Sequence, residues 1–152
     1  MLVGGGTVRH FLSMLTQRIL LIDDEPAIRL AVRKWFERNG WVVDEADNGT
    51  DACAMLEAVH MGYSLVICDV HLPGTSGFAI AAKVEESWPE LLSRFVFTTG
   101  DNLEFTHEQR ALRDRTHVLL KPFEFSELRA LVGAIAAAGT GLPAGGGDRL
   151  PS

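Results

Sequence analysis

The stretch LVICDVHLPGTSGF, residues 65–78, decides the fold, because an apolar run in it ends on a carboxylate and then breaks at a turn. Residues 65–68 are apolar at every position, which is typical of a strand covered on both faces in a parallel sheet. Asp69 follows directly, and Pro73 and Gly74 then end the extended segment. Because burial of an isolated charge is costly, we expect Asp69 to lie at an open strand end or to be neutralised by a bound group.

The rest of the chain repeats this alternation of apolar strands and amphipathic helices. Between the strands, apolar residues recur at the spacing of one helix face, and the weakest of these helices is predicted over residues 103–114, with Leu103, Ala111 and Leu112 as its apolar anchors. The pattern predicts an α/β fold: a flavodoxin-like, doubly wound (βα)5 sandwich with a five-stranded parallel sheet in the order 2-1-3-4-5. Strand-like runs occupy residues 18–24, 41–46, 64–69, 94–100 and 117–120.

Composition limits the classes of protein that fit. The chain has 152 residues, of which 47% are hydrophobic and 22% charged, enough for one globular domain with a buried core. Its formal net charge of -6 argues against direct binding of nucleic acid, which usually requires a basic surface. Cys53 and Cys68 show neither metal nor redox spacing, so we interpret them as buried apolar residues, and we expect a cytoplasmic protein.

The two ends of the chain differ in composition from its middle. Residues 1–17 contain no acid, and polar residues interrupt their apolar segment, so we expect a flexible leader rather than a signal peptide. Residues 139–152 are rich in Gly and Pro and are expected to be disordered. No apolar run reaches the ~20 residues of a membrane span, so we expect no membrane contact. The predicted folded domain spans residues 18–138.

Polar side chains end four of the predicted strands. Strand 1 ends with Asp23 and Asp24, strand 3 with Asp69, strand 4 with Thr99 and strand 5 with Lys121. In such sheets, ligands bind at the carboxyl ends of the strands, beside the point where the strand order reverses. Three carboxylates there would repel one another, and an all-oxygen site suits Mg²⁺, with Mn²⁺ as the alternative. Asp69 could then attack phosphorus as a nucleophile, while the cation and the lysine neutralise the transferring group.

Each of these residues also has a purely structural explanation. Asp23 and Asp24 could cap the helix that follows them, and Asp69 could be an ordinary turn acid. Thr98 competes with Thr99 as the functional hydroxyl, although strand alternation would point the two side chains to opposite faces of the sheet. We favour the functional interpretation because these residues occur together, in order, at strand ends.

Four motifs in order, LLIDDEP, LVICDVHLPGTSG, FTTG and LLKPF, resemble the receiver domain of two-component response regulators, the CheY-like family. The resemblance covers roughly residues 18–138. It implies that Asp69 accepts a phosphoryl group from a phosphohistidine of a sensor kinase or phosphotransfer protein. It also implies that Asp24, Asp69 and the backbone carbonyl of His71 ligate Mg²⁺, with Asp23 acting through water.

The resemblance further implies that Thr99 is the switch hydroxyl and Lys121 the phosphate-binding lysine, and family members usually have a cis peptide bond before the proline that matches Pro122. A phosphoacceptor switch of this kind catalyses only its own phosphorylation and dephosphorylation. Its expected readout is a changed contact with an unknown downstream protein through the face formed by helix 4, strand 5 and helix 5. The same face is the expected surface of a homodimer, if one forms. One departure is Val118, where family members often carry an aromatic residue.

Three alternatives remain open from the sequence. The chain could be a stand-alone regulator or the receiver module of a hybrid histidine kinase, since no DNA-binding or kinase motif follows. It could be a Mg²⁺-dependent phosphohydrolase with an aspartyl nucleophile, although such enzymes often carry a second acid two residues later, where this chain has His71. It could also be a receiver fold that binds partners without being phosphorylated.

Overall fold

The computed structural model describes residues 17–100 and 105–139. Within them, five strands form one parallel sheet in the order β2-β1-β3-β4-β5, which confirms the predicted topology. The strands are β1 (Arg18–Ile22), β2 (Val42–Ala46), β3 (Leu65–Asp69), β4 (Phe95–Thr99) and β5 (His117–Leu120). The α-helices are α1 (Pro26–Arg38), α2 (Gly49–Val59), α3 (Gly77–Ser87), α4 (His107–Asp114) and α5 (Phe125–Gly139). Two short 3₁₀ helices, His60–Gly62 and Pro89–Arg94, follow α2 and α3.

Helices cover both faces of the sheet, and this is why the central strands are apolar at successive positions. Successive residues of a strand point to opposite faces, so each strand contributes to two separate cores. Helices α1 and α5 close one core, and α2, α3 and α4 close the other. The first core is built on Ile19, Leu21, Leu65, Ile67, Val96 and Leu119, and the second on Leu20, Ile22, Val66, Cys68, Phe95 and Phe97.

Local signals in the sequence set several helix ends. Helix α1 begins at Pro26, whose fixed φ suits the first helical position, and it is followed by Gly40 at a φ of +86°, a conformation that favours glycine. Helix α2 begins after Asn48, whose side chain accepts a hydrogen bond from the amide of Asp51. Thr106 caps α4 through a reciprocal capping box with Gln109.

Helix α4 departs from its prediction. It begins at His107 rather than at residue 103, because Thr106 takes the cap position, and Ala111 is exposed rather than an apolar anchor. Leu112 is buried as predicted, and Phe105, which the periodicity did not mark, packs against the core. The other predicted anchor, Leu103, lies outside the described residues.

The predicted leader and tail also lie outside the described residues, apart from Gln17 and Gly139 at their inner ends. Cys68 is fully buried, as predicted, whereas Cys53 is only partly buried where it packs against the core, and both are free thiols. Burial raises the pKa of the Cys68 thiol, and the neighbouring carboxylate of Asp69 raises it further. Among the described residues, no helix combines the length and apolarity needed to cross a membrane.

Candidate functional site

Three charged side chains meet at the carboxyl edge of the sheet, where β1 and β3 lie side by side. The ammonium Nζ of Lys121 lies 2.9 Å from Asp23 Oδ2 and 3.0 Å from Asp69 Oδ2. Both carboxyl side chains are almost completely buried, with 3% and 7% of their area exposed. The structure therefore brings together residues that are 98 and 52 positions apart in the sequence, as the strand ends predicted.

Asp24 completes a cluster of three acids. Carboxylate oxygens of Asp23, Asp24 and Asp69 all lie within 4.8 Å of one another, and Asp24 is exposed at the mouth of the site. Three carboxylates with one ammonium leave an excess of negative charge in a partly buried place. This all-oxygen donor set fits a hard divalent cation such as Mg²⁺, which commonly binds one or two carboxylates and keeps several waters.

A backbone amide of the turn after β3 holds the carboxylate of Asp69 in place. The amide of His71 donates to Asp69 Oδ1 at 3.0 Å, and His71 itself is exposed at the rim. Gly74 has a φ of +77°, which a side chain would disfavour. Gly77 opens α3 directly against this turn: a Cβ at Gly77 would collide with the carbonyl oxygen of Asp69 and lie 3.0 Å from Val70 Cα. The glycine at this position thus allows the close approach that places the acid.

Lys121 reaches the acids from the far side of the sheet. Lys121 directly follows β5, which is separated from β3 by β4, so its side chain must pass the end of β4 to reach Asp69. The peptide bond between Lys121 and Pro122 is cis, as the family resemblance led us to expect. Burial alone would lower the pKa of Lys121, but hydrogen bonds and charge attraction from Asp23 and Asp69 outweigh it and raise this pKa above its usual value. The lysine is therefore charged throughout the physiological pH range.

The two threonines at the end of β4 lie on opposite faces of the sheet. Thr98 pairs in register with Asp69 and shares the face of Val96, whereas Thr99 shares the face of Phe97. Both are buried, and the carbonyl of Thr99 accepts a hydrogen bond from the Lys121 amide at 2.8 Å. The hydroxyl of Thr98 is buried without a hydrogen-bond partner in the described part of the chain.

Two further residues belong to the site, and the sequence analysis missed both. Glu25 Oε1 lies 3.3 Å from Lys121 Nζ, so a third carboxylate shares the ammonium. Arg29 donates from Nη1 to the carbonyl oxygen of Asp23 at 2.7 Å. The adjacency of Glu25 to the acid pair was a signal for the first. No local pattern marked Arg29, because from the first turn of α1 it contacts a backbone atom rather than a side chain.

The site opens to solvent as a shallow cleft of about 380 Å³. Asp69 and Lys121 form its floor, and an incoming group would meet the carboxylate of Asp69 beside a fixed positive charge. Such an arrangement can accept a small dianionic group, because the ammonium and a cation together would offset the charge. The cleft is lined by Asp24, Glu25, Asp69, His71, Gly100 and Lys121.

Comparison with known proteins gives consistent matches in sequence. The protein-family model described as the response regulator receiver domain matches residues 19–133. The transcriptional regulatory protein ResD of Bacillus subtilis (strain 168) is 29% identical over 118 residues, which cover 78% of this chain and 47% of ResD. Sporulation initiation phosphotransferase F of the same organism is 28% identical over 119 residues, covering 78% of this chain and 93% of that protein. The chain thus spans less than half of ResD but nearly all of phosphotransferase F.

Solved structures match in fold. Response regulator TrrA from Thermotoga maritima, in complex with Mg²⁺-BeF, aligns with a TM-score of 0.64 and 27% identity over 78% of this chain and 98% of TrrA. A structure of histidine kinase ThkA in complex with TrrA aligns with a TM-score of 0.66 and 28% identity, covering 78% of this chain and 97% of the matched chain. The topology derived above is thus that of solved receiver domains.

Proposed function

This chain belongs to the response regulator receiver domain family of two-component signal transduction, and from that premise we propose that Asp69 is the residue that accepts the phosphoryl group. One observation carries this assignment: the buried carboxylate of Asp69 ends β3 in contact with the ammonium of Lys121 and within 4.8 Å of the two acids that follow β1. The proposed receiver domain comprises residues 18–138.

The transfer follows from these positions. A carboxylate oxygen of Asp69 attacks the phosphorus of a phosphohistidine, the bond from phosphorus to the imidazole nitrogen breaks, and the imidazole takes a proton from solvent as it leaves. Lys121 moves its ammonium from the carboxylate towards the oxygens of the transferred group and balances their charge. Hydrolysis by water later releases inorganic phosphate and regenerates the carboxylate, so that the chain catalyses only its own phosphorylation and dephosphorylation.

A divalent cation is part of this proposal. Asp24, Asp69 and the backbone carbonyl of His71 would hold Mg²⁺, with Asp23 acting through water, and Mn²⁺ would serve as the alternative. When bound, the cation neutralises charge on the transferring phosphoryl group. The close set of three carboxylates supports this assignment, as does the relative TrrA, whose complex contains Mg²⁺-BeF.

The phosphodonor is proposed to be a sensor histidine kinase or a histidine phosphotransfer protein in the cytoplasm. An apolar groove of about 550 Å³ that is lined in part by Lys121, the partner of Asp69, offers such a protein a binding surface. The related TrrA forms a complex with the histidine kinase ThkA, which supports a donor of this class. The groove is lined mainly by Ala27, Ile28, Ala31, Val32, Pro122 and Phe123.

The readout is proposed to pass through Thr99 and the face formed by α4, β5 and α5. The phosphoryl group brings close to two negative charges and new acceptor oxygens to Asp69, in exchange for the charge of its carboxylate, and these oxygens favour approach of the Thr99 hydroxyl. Leu120 on β5 has 56% of its area exposed and provides an apolar contact for a downstream protein or for a second copy of this chain. Val118 packs against the core beside Phe97 and has no ring to turn, so the readout is carried by α4 and its flanking loop.

Phosphorylation with a small donor tests the acceptor assignment. Wild-type protein incubated with radiolabelled acetyl phosphate and Mg²⁺ should take up about one phosphoryl group per chain, and chelation of the cation should abolish uptake. Asp69→Asn should remove labelling while the fold survives. The matched control is Asp47→Asn, which changes an exposed acid just after β2. Persistent labelling of the Asp69 variant would refute the assignment, and steady turnover of small phosphomonoesters would instead support a phosphohydrolase.

A further inference from the structure

We propose that Arg29 is a positioning residue for the cation site, because it fixes the peptide bond that joins Asp23 to Asp24. This inference rests on the proposed function, in which both acids serve one divalent cation. It assigns a role to a side chain that lies outside the cleft and touches neither the acceptor nor the lysine.

The first contact joins Arg29 to the backbone of the loop between β1 and α1, residues 23–25, which we call the acid loop. Its Nη1 donates to the carbonyl oxygen of Asp23 at 2.7 Å. That carbonyl belongs to the peptide plane that also contains the amide nitrogen of Asp24. A hydrogen bond to it therefore fixes the direction in which the chain, and with it the Asp24 side chain, leaves Asp23.

The second contact anchors Arg29 itself. Its Nε donates to Glu45 Oε1 on β2 at 3.2 Å, and only 19% of the Arg29 side chain is exposed. The planar guanidinium thus bridges α1 and β2 while it holds the loop between β1 and α1. On its other side, the amide of Asp23 donates to the carbonyl of Ala46 at 3.1 Å. The backbone of Asp23 is consequently held at both its N–H and its C=O.

Fixing this backbone affects the cation because Mg²⁺ demands near-ideal octahedral geometry. Asp24 is exposed, and its position depends on the peptide that precedes it rather than on packing around its side chain. Partners that orient metal ligands typically change metal affinity about 10-fold to 100-fold when they are removed. Loss of Arg29 should therefore weaken cation binding even though Asp23, Asp24 and Asp69 all remain.

The chain offers a matched control one helical turn along α1. Arg33 also donates to Glu45, from Nη1 to Oε2 at 2.7 Å, and it lies near Glu37. Among the described residues, the contacts of Arg33 are to these two carboxylates and not to the acid loop. Arg33→Ala therefore removes a positive charge and a hydrogen bond to Glu45 on β2. It leaves the hydrogen bond from Arg29 to the Asp23 carbonyl in place.

The experiment measures Mg²⁺ affinity by titration calorimetry and the free energy of unfolding in chelator, for four full-length proteins. Wild type should bind Mg²⁺, Arg29→Ala should bind it about tenfold more weakly, and Arg33→Ala should stay within about twofold of wild type. Arg29→Lys, which can bond the carbonyl but not Glu45 as well, should recover part of the affinity. Unfolding in chelator measures the stability of each variant without the cation. A loss of stability there, with unchanged Mg²⁺ affinity, would show that Arg29 supports the fold and not the cation site.

Each outcome is decisive. Unchanged affinity in Arg29→Ala, or equal weakening in Arg29→Ala and Arg33→Ala, would overturn the positioning role. If Arg29→Ala does not fold, Arg29→Lys is compared with Arg33→Ala instead. Mg²⁺ affinity no weaker in Arg29→Lys than in Arg33→Ala would then overturn the positioning role. Absence of Mg²⁺ binding by the wild-type protein would instead overturn the cation site of the proposed function, and so the two failures are distinguishable.

Discussion

The two halves of the carboxyl edge are built differently. In one half, Asp23 in the β1–α1 loop is hydrogen-bonded at its amide, its carbonyl and both carboxylate oxygens. In the other half, the segment after β4 leads to α4, an eight-residue helix with Leu112 as its one buried side chain and Phe105 as a partly buried anchor. The first half fixes the geometry that a cation and a phosphoryl group require. The second is held by fewer buried contacts and therefore needs less free energy to shift.

This difference separates the two tasks of the domain. Chemistry at Asp69 needs ligands and charges that stay in place, so the acid loop is over-determined by hydrogen bonds. The proposed readout needs an element with two accessible positions, and α4, which buries a single side chain, meets that requirement. The following variants break one half or the other, beginning with the largest expected effect.

Lys121→Met should cause the largest loss of stability, and it acts on the half of the edge that contains Asp23. It removes the ammonium between Asp23 and Asp69 and leaves two buried carboxylates without their counterion. Removing one partner of a buried ion pair typically costs about 3 kcal/mol or more in the free energy of unfolding. Urea unfolding in metal-free buffer measures the loss, with Lys121→Arg as the charge-retaining control. Added Mg²⁺ should stabilise the methionine variant more than wild type, and a variant as stable as wild type in chelator would contradict this account.

Gly77→Ala should disturb the turn that carries Asp69. The new Cβ would collide with the carbonyl of Asp69, so the turn or the start of α3 must shift. Overpacking of this kind costs about 2 kcal/mol. Gly133→Ala on α5 is the control, because nothing lies within 4 Å of its added Cβ, and it should leave stability unchanged or slightly raised. Thermal unfolding of both variants checks the expectation, and equal melting temperatures would disprove it.

Phe105→Ala should loosen the other half alone. The ring of Phe105 packs edge-on against Phe78 at 5.7 Å, and the Arg113 guanidinium lies 5.9 Å from its centroid. Losing these contacts should cost about 1 kcal/mol. Hydrogen exchange should accelerate in α4 but not in the β1–α1 loop. Phe125→Ala, which removes a ring stacked on Trp35, is the control and should leave exchange in α4 unchanged.

The smallest effect concerns pH. The pKa of Lys121 is raised by its carboxylate partners, so the folded state holds this proton more tightly than the unfolded state, in which the pKa is about 10.5. The resulting stabilisation is fully present below that pH and is lost as pH rises towards the raised value. The stability difference between wild type and Lys121→Met should therefore shrink above pH of about 10.5 in metal-free buffer. Tyr63 also has a raised pKa, from burial and from Asp44, but it contributes equally to both proteins.

The fold and most of the site were predictable from sequence because they depend on patterns with strong local causes. Apolar strand runs that end on Asp23, Asp69 and Lys121 define both the sheet and the edge where polar groups meet. A parallel sheet then leaves little choice about which residues converge. The cis bond before Pro122 was expected from the family resemblance, since the residues themselves favour trans.

The remainder depends on side-chain reach and on weak local signals. Arg29 was missed because its partner is a carbonyl oxygen, which every residue has, and the contact exists only once α1 packs beside β2. The anchor Phe105 was missed because it precedes the helix and falls outside its periodicity. Ala111 was wrongly counted as an anchor, since an alanine on a short helix fits either face equally well.

Lys121 lies 98 residues from Asp23 and 52 from Asp69 in the sequence. This separation has a consequence for incomplete copies of the chain. A nascent or proteolysed chain that stops short of β5 carries the acids but lacks their counter-charge, and nothing closes the far side of β4. Such a fragment cannot assemble the charge arrangement that receives the phosphoryl group. On the proposed mechanism, the chain can therefore be phosphorylated only once its last strand has folded.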